Sequence, residues 1–139
     1  MSEQCERIDA NLTNVNKMAS LKVYKAFRDF RTYAYLCIDK MPRWVKNSEG
    51  KECIRDIKEC VMCLSVLCRS RDDAEKIRAV NTALMHLDCV CDSLDFFTEP
   101  QVNALSSRQL AHLFRLMDDV EGQLLRLRSH FAADGSQKD

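Results

Sequence analysis

Glycine and proline are scarce, three and two among 139 residues. That scarcity argues against a turn-rich β-sandwich or barrel and for long uninterrupted helices. Long apolar runs are missing too: no stretch reaches the roughly 20 apolar residues that a membrane span needs. Residues 1–16 are polar and lack the apolar centre of a secretion signal, so the expectation is a cytoplasmic chain with no membrane partner. The sequence contains no glycine-rich phosphate loop and no helical His/Glu pairing of the metalloprotease kind. It also lacks the Glu-x-x-His motifs of di-iron bundles, and no serine, cysteine or histidine stands in a nucleophile setting. The chain therefore reads as a non-enzyme, with no catalytic residues, no metal and no cofactor.

Cysteine, by contrast, is plentiful. The eight cysteines (5, 37, 53, 60, 63, 68, 89 and 91) read as small hydrophobes in a reducing compartment rather than as a disulfide framework. Cys60-x-x-Cys63 has the spacing of half a zinc or redox site. No second pair matches it, and it falls mid-helix, so core packing is the stronger reading. His86, Cys89 and Asp92 share a side of one helix without a fourth ligand. His86, His112 and His130 all read as surface residues.

Two heptad seams dominate what is present. Ile77, Val80, Leu84, Leu87, Cys91 and Leu94 form one; Leu110, Leu113, Met117, Val120, Leu124, Leu127 and Phe131 form the other. Steps of three and four place each set on one stripe of a helix, and such stripes must be buried against other helices. Two earlier helices precede them. The first is expected over Met18 to Lys40 with Val23, Tyr24, Phe27, Phe30, Ala34, Cys37, Ile38 and Met41 inward, ending at Met41-Pro42-Arg43. Trp44 and Val45 are expected to fold over the bundle end. The second should start at an Ser48 N-cap with the seam Cys53, Ile57, Cys60, Leu64 and Leu67, widened by Ile54, Val61 and Cys68. Asp72 or Asp73 should cap the third helix, which runs to Phe97. Ser106-Ser107-Arg108-Gln109 matches a capping box opening the fourth.

Short connections between four such helices predict an all-α, up-down-up-down antiparallel four-helix bundle over residues 17–131. Residues 1–16 and 132–139 read as flexible tails. Leu116, Phe114, Leu125, Val90 and Phe97 fall off the seams, and their excess points to a second buried surface through self-association or a partner.

The formal net charge is zero, yet it is unevenly placed. Lys17 to Arg78 holds fifteen Lys and Arg against nine Asp and Glu, whereas Ala79 to Asp139 holds five against nine. A neutral total does not exclude an anionic partner, because the field follows local distribution. Lys22, Lys25, Arg28 and Arg31 on the first helix, Arg43 and Lys46 in the connection, and Lys51 and Arg55 on the second form a candidate phosphate-backbone footprint. Lys58 adds to the second helix, where Glu52, Asp56 and Glu59 supply neutralising neighbours.

The order of elements, Met41-Pro42-Arg43 after helix one, Leu105-Ser106-Ser107-Arg108-Gln109 opening helix four and Asp119-Val120-Glu121-Gly122 within it, resembles the accessory variability determinant proteins of diversity-generating retroelements. That family sits within a wider group of S23-like bacterial four-helix bundles. The resemblance spans roughly Met18 to His130. It implies a homopentameric barrel that binds the element's reverse transcriptase and nucleic acid, template RNA or cDNA, as a non-catalytic subunit in mutagenic retrohoming. The alternative is a general S23-like protein-interaction bundle with no nucleic-acid role.

Overall fold

The computed structural model of the chain describes residues 21–137, with side chains to Ala133. The expected tail over 1–16 and the Met18 start of the first helix lie outside these residues. Among the described residues, four long helices form a four-helix bundle: α1 Lys22–Asp39, α2 Lys51–Arg69, α3 Asp73–Thr98 and α4 Ser107–Gln137. α2 packs on α3, α3 on α4 and α4 on α1, while α1 and α2 are the least closely packed of the four neighbouring pairs. α4 continues to Gln137, through part of the stretch expected as a tail.

Side-chain size accounts for this uneven spacing. Helix separation is set by the side chains at the contact. α2 turns Cys60 and Cys63 toward Ala79 and Ala83 of α3, all of them small and buried. The Cys60 Sγ lies 3.6 Å from the Ala83 carbonyl oxygen, so the two backbones run close. α1 instead brings Phe27 and Phe30, fully buried, and the half-buried Tyr24 and Tyr35, which hold it away from α2.

The helix ends follow local chemistry. α1 tightens at its C-terminus: Met41 N–H donates to the Ile38 carbonyl at 3.0 Å, and Lys46 Nζ donates to the Asp39 carbonyl at 2.9 Å. Both satisfy carbonyls that a helix terminus leaves open. Asp72 caps α3, accepting from Ala74 N–H at 3.1 Å. The capping box of α4 forms in full. Ser106 N–H donates to Gln109 Oε1 at 2.9 Å, and Gln109 N–H donates to Ser106 Oγ at 3.1 Å.

Ser48 does not cap α2. The chain turns helical earlier, over Arg43–Val45, widens into a π turn over Lys46–Gly50, and runs into α2 without a break. Pro42, with its fixed φ and missing N–H, suits a helix start, so the helix is under way by Ser48, whose Oγ donates to the Trp44 carbonyl at 2.7 Å. Val45 is buried beneath this turn, but Trp44 stays 57% exposed. Gly50 is needed here for space: a Cβ at this position would sit 3.1 Å from the Val45 carbonyl oxygen and 3.2 Å from Ile38 Cγ2.

The α3 seam is rotated from the expected one. Val80, Leu87 and Leu94 are buried, but Ile77, Leu84 and Cys91 are half-buried on the α4 side, where Cys91 Sγ meets Met117 Sδ at 3.2 Å. The buried arc extends the other way, through Ala79, Ala83, Val90, Ser93 and Phe97. α3 is covered by α2 as well as α4, so its apolar face is broader than a heptad seam. Val90 and Phe97, expected on a second surface, belong to the core. The α4 seam stands as read, with Leu113, Met117, Val120 and Leu124 buried and Leu110, Leu127 and Phe131 half-buried. No helix among the described residues is long and apolar enough to cross a membrane.

Candidate nucleic-acid interface

The eight basic residues singled out from the sequence do not form one patch. Residues three apart on a helix are rotated back by about 60° at each step, so Lys22, Lys25, Arg28 and Arg31 wind around the exposed half of α1. Lys22 lies at the α4 edge, lining a hollow with Gln123, Arg126 and His130. Lys25 points outward. Arg28 and Arg31 approach the α2 edge, where Arg31 is half-buried beside Tyr35. Burial raises the Tyr35 phenol, and the Arg31 charge opposes that shift.

On α2, Lys51, Arg55 and Lys58 follow i, i+4, i+7 spacing and share one fully exposed stripe. Lys58 completes this stripe, which Lys51 and Arg55 begin. Glu52, Asp56 and Glu59 lie on the flank turned to α3. Charge on α2 is thus sorted by side rather than neutralised around the helix. One ion pair crosses the division, Arg55 to Glu52 at 3.1 Å, with both side chains at least half exposed; such a pair contributes little. Lys46 is committed locally, 3.5 Å from the Asp39 carboxylate as well as bonded to its carbonyl. Arg43 is exposed in the connecting turn. Arg28, Arg31, Lys51 and Lys58 make no ion pair among the described residues. The structure therefore places Lys51, Arg55 and Lys58 on the outward face of α2 and Arg31, beside Tyr35, on the side of α1 nearer α2, and it separates Lys22 and Lys46 from them.

The α2–α3 side has the opposite character. Glu49, Glu52, Asp56, Asp88 and Asp92 line a hollow of about 520 Å³ together with Met85, Cys89 and Ser93. Two of its acids have partners across the α2–α3 interface. Asp56 meets His86 Nδ1 at 2.9 Å across the interface. His86 is therefore not the free surface residue expected of it; its side chain is 18% exposed. Ser93, the buried polar residue of α3, donates to Glu49 Oε1 at 2.8 Å and ties the π turn to the bundle. Nothing in the sequence links Glu49 with Ser93, 44 positions apart. Among the described residues no three His, Cys, Asp or Glu are placed to hold a metal ion. Cys60 points into the core, whereas Cys89 is exposed.

His112 is likewise half-buried, stacked edge-on against Tyr33 with ring centroids 4.4 Å apart. Large apolar side chains remain exposed at Leu36, Trp44, Met62, Met85, Phe114 and Leu125. They are spread over all four helices and the α1–α2 turn. No family model matches the chain, and comparison with curated proteins and with solved structures gives no match.

Proposed function

We propose that this chain is a non-catalytic accessory bundle that binds nucleic acid along the α1–α2 edge. Its wider role would be as a self-associating partner of the reverse transcriptase of a diversity-generating retroelement. The observation that carries the nucleic-acid part is the sorting of charge. Lys51, Arg55 and Lys58 share one exposed stripe of α2, while the acids of α2 turn toward α3. A row of exposed cations with long flexible stems, of which Arg55 alone makes an ion pair among the described residues, suits a phosphate backbone, whose binding is electrostatic and weakly sequence-specific. The reverse-transcriptase and homopentamer parts rest on the resemblance carried by Met41-Pro42-Arg43, Leu105 to Gln109 and Asp119 to Gly122. The exposed Trp44, Met62, Phe114 and Leu125 supply apolar area for protein contacts.

A general S23-like interaction bundle without a nucleic-acid role is the second reading, and the same exposed apolar residues favour it. The deciding experiment is co-purification with a candidate reverse transcriptase of a diversity-generating retroelement, with and without its RNA, followed by mass measurement of the assembly. A complex whose RNA is lost in an R28E/R31E/K51E/K58E variant supports the proposal. RNA retained by that variant assigns the nucleic acid elsewhere, and no complex at all removes the retroelement role.

A further inference from the structure

The first turns of α4 carry a second basic cluster that lies away from the α1–α2 edge. A surface hollow of about 530 Å³ opens between α1 and α4, lined by Tyr33, Arg108, Gln109, Ala111, His112 and Arg115. Arg108, His112 and Arg115 follow i, i+4, i+7 spacing and so share one stripe of α4. The small Ala111 beside them leaves the space open. No carboxylate lines the hollow, and neither arginine makes an ion pair among the described residues. Two guanidinium groups facing one hollow without a counter-charge repel each other, and an entering anion relieves that repulsion.

The histidine adds a donor. Arg115 Nη2 lies 2.7 Å from His112 Nδ1. A guanidinium only donates, so Nδ1 accepts, and the ring proton sits on Nε2 as a further donor. The Tyr33 ring, nearly perpendicular to that of His112 at 83°, holds the imidazole in place and forms the α1 wall of the hollow. Burial raises the Tyr33 phenol, Cys37 adds to the shift and the Arg108 charge opposes it, so Arg108 acts on the phenol. The lining holds no acid: the two guanidinium groups only donate, and His112 donates from Nε2.

We infer that this hollow is a phosphate-binding site, in which Arg108 and Arg115 hold the phosphate group and His112 and Tyr33 donate supporting hydrogen bonds. Planar guanidinium forks match the oxygen spacing of phosphate and bind it through paired, charge-assisted hydrogen bonds. The site stands whether or not the α1–α2 edge holds nucleic acid. Its ligand is either the terminal phosphate of a nucleic-acid strand or a free phosphate ion.

The test is a titration of the full chain followed by amide and aromatic NMR signals. Inorganic phosphate is one probe, and a dinucleotide with or without a 5′-phosphate is the other. The expected result is a saturable shift centred on Tyr33, Arg108, His112 and Arg115. An R108Q/R115Q variant should weaken binding by roughly tenfold for each guanidinium removed, with its helical circular dichroism unchanged. Y33F, which keeps the ring contact and deletes one donor, should weaken it less. R71Q, at an exposed arginine in the α2–α3 connection, should bind phosphate as the parent does. Tighter binding of the 5′-phosphorylated dinucleotide than of inorganic phosphate identifies a strand end as the ligand; equal binding identifies free phosphate, and either result sustains the site. No saturable shift with any phosphate-bearing probe, or undiminished binding by a folded R108Q/R115Q variant, overturns it.

Discussion

Single residues at the helix ends and in the core each carry a measurable part of the stability. Ser106 and Gln109 satisfy each other's open amides at the start of α4. Ser106→Ala should cost about 1 kcal/mol, read as a lower melting temperature with unchanged helix content; no loss would mean that the box adds nothing to water at this exposed end. The buried thiols behave differently. Burial pushes the Cys53 thiol up to about 12, with Asp56 adding and a Ser93 hydrogen bond opposing, and burial also pushes Cys60 up. In the unfolded chain such thiols ionise near 9. Their raised folded-state pKa favours the fold fully below that value, and the advantage is lost as pH rises through 9 toward about 12. Urea midpoints should therefore fall between neutral pH and about pH 10. A C53A/C60A variant should show a shallower decline, and an identical decline in both proteins would remove the thiols as its cause.

At the scale of whole elements, packing between helices decides what helix propensity alone cannot. Gly50 and Gly122 both lie in helical segments, where alanine is intrinsically favoured by about 0.5–1 kcal/mol. The structure separates them. At Gly50 a Cβ would press on the Val45 backbone and Ile38, whereas at Gly122 the nearest atom is the Arg126 Nη1 at 3.8 Å, the end of a flexible side chain. Gly122→Ala should raise the melting temperature and Gly50→Ala should lower it; equal shifts would deny that the π turn is packed against α1. The α2–α3 contact depends in the same way on small residues. Ala83→Leu should force α3 away from Cys60 and cost about 1–3 kcal/mol by overpacking. The checking measurement is the change in unfolding free energy in urea, and a cost near zero would show that the two helices can separate freely.

Across the molecule, a neutral total hides two faces of opposite sign. The outward face of α2 carries Lys51, Arg55 and Lys58, and the α2–α3 side carries Glu49, Glu52, Asp56, Asp88 and Asp92. If the basic face holds a single strand, the logarithm of affinity should fall with the logarithm of salt concentration by about 0.7 for each phosphate neutralised. Filter binding over a salt series reads that slope. K51E/R55E/K58E should flatten it, whereas D88N/D92N on the other side should leave its origin on α1–α2 intact. A salt-independent affinity would mean that the strand is not held by these cations.

The fold was legible in the residues because helical periodicity and capping are local. The α4 seam, the core of α2, the Asp72 cap and the Ser106–Gln109 box each depend on neighbours within a few positions, and each stands in the structure as read. The charge imbalance between the halves was equally plain. What the residues could not reveal were relations set by the distance between helices. The broad buried arc of α3 follows from its two covering partners, and the position of Ser93 from Glu49 across the bundle. His86 is drawn inward by Asp56, and Pro42 moves the start of the second helix ahead of Ser48. The same holds for the basic residues: spacing along the chain made them a row, but rotation around α1 divides them between two edges. The i, i+4, i+7 pattern of Arg108, His112 and Arg115 was present in the sequence, yet only the approach of Tyr33 from α1 turns that stripe into a hollow, because a binding site needs walls from more than one helix.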